Sequence, residues 1–170
     1  MKNVIRVLSI ISLMLVIGFS MTSCKDSGDG NGEYIQKDFW MWTWQSTITE
    51  DGQDFLSDGT VFKFTVKTDE DMWKATVNTD YKVKAGATYE YKFEAWTVTS
   101  IPRKLRIWYG QADDIDLKEI SITNEHATYT FIGEPINTTL IDSNGKTTFK
   151  ILCGDQKGSF SIKNLEIKKL

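Results

Sequence analysis

The strongest constraint in the chain is the strict two-residue alternation of Thr88–Trp96. Tyr89, Tyr91, Phe93 and Ala95 fall on one side, and Glu90, Lys92, Glu94 and Trp96 on the other. Successive side chains of a β-strand point to opposite faces, so this segment separates its apolar and polar residues only as a strand. The next segment repeats the pattern, with Leu105, Ile107 and Tyr109 opposite Lys104, Arg106 and Trp108. By the same criteria Phe39–Gln45, Thr60–Lys67, Trp73–Asn78, Ala127–Ile132, Thr147–Cys153 and Ser159–Lys168 are predicted strands. Turn residues separate them at Asp51-Gly52, Asp58-Gly59, Ala85-Gly86, Ser143-Asn144-Gly145 and Asp155–Gly158. Pro102 and Pro135 lie between strands, where a missing N–H costs no ladder bond. No window carries a helical period. Many short strands in the stretch 34–170 predict one all-β domain, a β-sandwich of jelly-roll type. A domain of that size buries roughly two-thirds of its unfolded surface.

The first residues follow a different logic. Lys2 and Arg6 precede an apolar run from Val7 to Phe19, shorter than the roughly 20 residues of a spanning helix and suited to a signal-peptide core. Met21-Thr22-Ser23-Cys24 resembles the lipobox read by the lipoprotein signal peptidase. That resemblance implies a signal peptide over 1–23 and lipidation of Cys24 as the first mature residue. Each buried lipid CH2 contributes about 0.8 kcal/mol, so several acyl chains hold a protein stably on a membrane that it does not span. Residues 24–33 then form a lipidated cysteine and a flexible tether, since Lys25 to Glu33 holds no apolar residue. Its Lys-Asp start resembles the acidic export signal of Bacteroidetes surface lipoproteins, which implies a lipid-anchored protein of the outer membrane exposed at the cell surface.

Charge and cysteine content exclude several classes. Loss of Lys2 and Arg6 with the signal leaves 18 basic residues against 23 acidic ones, a net −5. Nucleic-acid binding calls for a basic stripe, so no nucleic-acid partner is expected. With Cys24 lipidated, Cys153 has no partner for a disulfide and reads as a small buried hydrophobe. The lone histidine, His126, cannot build a zinc site and reads as a surface residue. No cofactor is expected. A structural calcium ion stays an open alternative, because Asp69-Glu70-Asp71 and Asp113-Asp114-Ile115-Asp116 are acidic runs. A glycosidase needs two carboxylates about 5–9.5 Å apart. Glu90 and Glu94 share a strand face roughly 13 Å apart, so no catalytic residue is assigned.

Trp96 and Trp108 both stand on faces that are otherwise charged. Burying an aromatic side chain contributes roughly 1.5–3 kcal/mol, so leaving two in water forgoes stability. Rings flanked by Glu94, Lys92 and Arg106 can cover the apolar face of a pyranose while the charged groups bond its hydroxyls. A loop closing over the rings is the structural alternative. Trp40, Trp42 and Trp44 form a second stripe opposite Phe39, Met41 and Thr43, and the pattern leaves open which side faces inward. Trp42 joins the candidate sugar contacts. Trp73, alternating with Ala75 and Val77, is expected in the core.

Several segments resemble the carbohydrate-binding modules of families 4 and 9, the CenC type. They are Val61–Val66, Trp73–Val77, Ala85–Ala95, Thr128–Phe131 and Ser159–Ile167. The resemblance implies a galactose-binding-like jelly roll whose concave sheet holds a polysaccharide or oligosaccharide. It further implies a non-catalytic role in glycan capture beside other glycan-uptake proteins. Asn164 stands where the family usually has an aspartate. The rival readings are a protein-interaction or structural outer-membrane lipoprotein without a glycan ligand, and a small glycoside hydrolase.

Overall fold

A computed structural model describes residues 33–35, 39–43, 48–56, 58–111 and 114–170. Its strands form two antiparallel sheets. Sheet I runs in the order β3 (Ile48–Leu56), β4 (Gly59–Val66), β11 (Gly158–Lys169), β6 (Tyr89–Thr97), β9 (Ala127–Ile132). A short β1 (Glu33–Ile35) pairs with β11 as well, at Glu166 to Lys168. Sheet II runs β2 (Trp40–Thr43), β5 (Ala75–Lys82), β10 (Lys146–Leu152), β7 (Arg103–Gly110), β8 (Asp114–Ile122). The chain crosses repeatedly from one sheet to the other, as it does between β6 and β7. The result is the expected all-β jelly-roll sandwich.

Alternation places the core between the sheets. Tyr89, Tyr91, Phe93 and Ala95 of β6 meet Leu105, Ile107 and Tyr109 of β7, with Phe149 of β10 and Phe160 of β11, all buried. Tyr91 stacks on Phe149 at 5.3 Å and on Tyr109 at 5.7 Å. The phenols stay paired inside: Tyr81 and Tyr91 share a hydroxyl contact of 2.5 Å, and Tyr109 both bonds and is bonded by the Glu134 backbone. Arg103 takes the inward phase of β7 ahead of Leu105 and is 2% exposed. It donates to the carbonyls of Gly158 (2.8 Å) and Cys153 (3.3 Å). Cys153 is fully buried, its thiol against the Ala75 carbonyl at 3.3 Å.

Four expectations need correction. Trp73 is 47% exposed. The strand begins only at Ala75, and Met72–Lys74 forms a single 3-10 turn that throws the indole out of phase. Lys74 lies over its ring at 5.9 Å. Asp51-Gly52 is no turn between strands but a bulge inside β3, where the register shifts between Glu50 and Gly52. The strand β8 was not anticipated, because its apolar phase slips between Leu117 and Ile120 where the ladder with β7 bulges. The short β1 was also missed. The expected signal peptide, Cys24 and nearly all of the tether lie outside the described residues.

Candidate functional site

The six candidate sugar contacts do not share one face. Lys92, Glu94 and Trp96 project from the outer side of β6, in sheet I. Arg106 and Trp108 project from the outer side of β7, in sheet II, and Trp42 pairs with Thr76 in that same sheet. Both tryptophans point away from the core, yet they look in opposite directions across the sandwich. A single platform holding Trp96 and Trp108 is therefore ruled out.

On sheet II the register assembles one row from four neighbouring strands and a fifth. Trp40 pairs with Asn78, Asn78 with Lys150, Lys150 with Trp108, and Trp108 with Asp116. Strands stand about 4.8 Å apart, so the Trp40 and Trp108 backbones are roughly 14 Å from each other. Phe39 and Met41 pack against the core, which turns Trp40 outward at 45% exposure. That answers, for this residue, the question the stripe left open. Of Trp42 only the pairing with Thr76 is described, and Trp44 lies outside the described residues.

The floor between the two rings is polar and sheltered. Asn78 is 1% exposed, Thr148 3% and Thr76 8%, although all three point away from the core. The Asn78 amide donates to the Thr76 hydroxyl at 2.8 Å. Its carbonyl oxygen Oδ1 is buried without a partner among the described residues, and so is the indole Nε1 of Trp108. An unpaired buried polar atom costs about 1–3 kcal/mol, so both are held at a penalty in the free protein. The charged groups around them are neutralised in pairs. Lys150 bonds Asp114 at 2.5 Å, and Arg106 donates from Nε to Asp116 at 2.8 Å while lying 5.6 Å over the Trp108 ring. Thr148 bridges Asp80 at 2.7 Å and Gln111 at 2.8 Å. Such pairing fixes side-chain positions before a ligand arrives.

On sheet I, Trp96 is half-buried and stacks on His126, with ring centroids 3.7 Å apart and planes 14° from parallel. His126 is itself exposed. Glu94 accepts from the Asn164 amide at 3.3 Å, and Lys92 pairs with Glu166 at 3.3 Å. Sequence reasoning missed Trp40, Asn78 and Lys150. The phase shared by Trp40 and Trp42 was the available signal for the first; nothing local marks Asn78 as buried.

Among the described residues no three histidine, cysteine or acidic side chains converge to hold a metal ion. The acidic runs have other partners. Glu70 and Asp71 pair with Lys74 at 2.9 and 3.5 Å, and Asp69 accepts the Lys157 N–H. Asn164 sits at a bulge of β11 with φ 54°, giving its amide hydrogen to Glu94.

No protein family matches the chain by sequence, and neither does any curated protein. Solved structures match it by shape. A CBM4 structure superposes with a TM-score of 0.59 at 15% identity, over 78% of this chain and 86% of its own. BiXyn10A CBM1 in its apo form gives 0.59 at 14%, over 81% and 96%. The CBM22-1 xylan-binding domain of Paenibacillus barcinonensis Xyn10C gives 0.54 at 10%, over 81% and 85%. The chain shares the β-sandwich jelly-roll fold of these carbohydrate-binding modules.

Proposed function

We propose that this protein binds a polysaccharide without cleaving it, along the outer face of sheet II between Trp40 and Trp108, where binding opens a trough. The observation that carries the reading is that row, with an unpaired acceptor on Asn78 and an unpaired donor on Trp108. Both atoms are covered in the free protein, so a glycan reaches them once the side chains over them move; a sugar hydroxyl, which both donates and accepts, then answers both needs. The two indoles supply flat apolar surface for pyranose faces. Arg106, whose side chain is 44% exposed, swings aside to uncover the Trp108 ring. Likeness to carbohydrate-binding modules supports the reading, although a fold does not fix a function.

In this reading Cys24 carries the lipid, and the domain stands on the outer face of the outer membrane, gathering glycan for neighbouring uptake proteins. Xylan is the first ligand to try, because one similar structure is a xylan-binding domain. Calorimetry of the chain from residue 25 onward, against xylan and a panel of β-linked hexasaccharides, tests it. Micromolar to millimolar affinity is expected, about 4–8 kcal/mol. Binding unchanged in a Trp40→Ala/Trp108→Ala double variant would remove the site. Labelling of live cells with an antibody to the domain tests its surface position.

A further inference from the structure

We propose that the outer face of sheet I holds a second saccharide slot, walled by Trp96. Only the class of ligand rests on the reading above. A groove of about 440 Å3 lies on this face, within the ~300–1,000 Å3 usual for small-ligand sites. Strand register explains its shape. Trp96 of β6 pairs with Ser161 of β11, and Ser161 with Lys63 of β4. A large ring, a small hydroxyl and a charged side chain therefore stand in one row. Two strand spacings, about 9.6 Å, separate the Trp96 and Lys63 backbones. Ser159 and Ser161 keep the floor between them low.

The other side of the indole is already covered. Ala95 pairs with Ala127, which sets His126 beside Trp96 on the β9 side. The imidazole stacks there at 3.7 Å and braces the ring. His126 also lines the groove beside the ring, and the indole face toward β11 is the one assigned to the ligand. His126 is thus a positioning residue, and Trp96 is the stacking surface.

The far wall disfavours an anionic guest. The groove is lined by two carboxylates, Asp51 and Asp54, and two ammonium groups, Lys63 and Lys163. Lys63 bonds Asp54 at 2.6 Å, and Lys163 bonds Asp58 at 2.5 Å. With Asp58 counted, three carboxylates stand against two ammonium groups, so an anionic ligand gains no net attraction. Each paired carboxylate keeps lone pairs for hydroxyl donors. An aromatic wall, a hydroxyl floor and carboxylates able to accept from hydroxyls fit one uncharged pyranose. The slot and the sheet II trough face opposite ways, so a single molecule engages two glycan chains.

The test is tryptophan side-chain NMR of the chain from residue 25, titrated with xylohexaose, cellohexaose, laminarihexaose and mannohexaose. At least one of these is expected to shift the indole N–H of Trp96 as well as that of Trp40 or Trp108. Trp96→Ala is expected to weaken the sheet I set about tenfold or more, to lower the stoichiometry from two to one, and to abolish cross-linking of the corresponding soluble polymer. Trp96→Phe, which keeps a ring, restores part of the loss if the alanine variant does not fold. Shifts confined to Trp40 and Trp108 overturn the slot and leave the sheet II reading standing. Shifts confined to Trp96 uphold the slot and overturn that reading. No shift with any of the four sugars overturns both.

Discussion

The Arg103 guanidinium lies 5.1 Å from the centre of the Phe160 ring, joining the start of β7 in sheet II to β11 in sheet I through the core. Its bonds to the Gly158 and Cys153 carbonyls fix the loop between β10 and β11. Arg103→Met keeps the bulk but strands both carbonyls, at about 1–3 kcal/mol for a buried unpaired group. The expected loss of stability is about 3 kcal/mol, read as a lower urea midpoint at unchanged m-value. A midpoint within error of the parent would show that water replaces the guanidinium.

Gly59 and Asn164 pack so closely that neither tolerates enlargement of the other. Gly59 has φ +136°, and a Cβ there would sit 1.9 Å from the Asn164 side-chain oxygen. Gly59→Ala should cost at least about 2 kcal/mol, through backbone strain and collision together. In a Gly59→Ala/Asn164→Gly double variant the collision disappears and the strain stays, so denaturant titration should recover only part of the loss. Strict additivity of the two substitutions would show that they do not touch.

Asn78 separates binding from folding. Asn78→Ala removes an unpaired buried acceptor together with one bond to Thr76, so the stability change should stay within about 1 kcal/mol. Glycan affinity at the sheet II trough should nonetheless fall about tenfold. Paired calorimetry and thermal denaturation check this. A variant that loses stability and keeps its affinity would assign Asn78 to the scaffold.

Stability should fall in alkali. Burial lifts the Cys153 thiol from its ordinary 9.0 to about 12, against the pull of Arg103. Burial likewise lifts the Tyr81 and Tyr91 phenols above their ordinary 10.0. All three stay protonated in the fold while the unfolded chain ionises first, so above about pH 9 unfolding releases protons. The contribution is whole below that pH and is lost as pH climbs toward 12. Urea midpoints should be level from about pH 7 to 8.5 and then decline, and iodoacetamide should label Cys153 at pH 8 only after unfolding. Rapid labelling of the native protein would contradict this burial.

How much could be read in advance follows from what alternation encodes. Tyr89 to Trp96 and Leu105 to Trp108 each declare which side of their own strand faces the core, and both strands and the jelly roll followed from that. Alternation says nothing about which sheet a strand joins. Trp96 and Trp108 therefore looked like neighbours until the crossover after Thr97 set them back to back. Trp73 misled because a single 3-10 turn before Ala75 shifts phase without leaving a mark in composition. β3 and β8 hid behind bulges, where an added residue breaks the two-residue period. Asn78 could not be foreseen as buried, since its shelter comes from strands distant in sequence.

The pairing of β1 with the far end of β11 has a spatial consequence. Glu33 lies opposite Lys168, whereas the Trp96 row meets β11 at Ser161, seven residues and roughly 20 Å back along the strand. A molecule moored by its leading segment would stand with that row at the far end of its longest strand. In the proposed lipid-anchored form, long polymers would slide past without grazing the membrane, and lengthening the mooring would change their capture little.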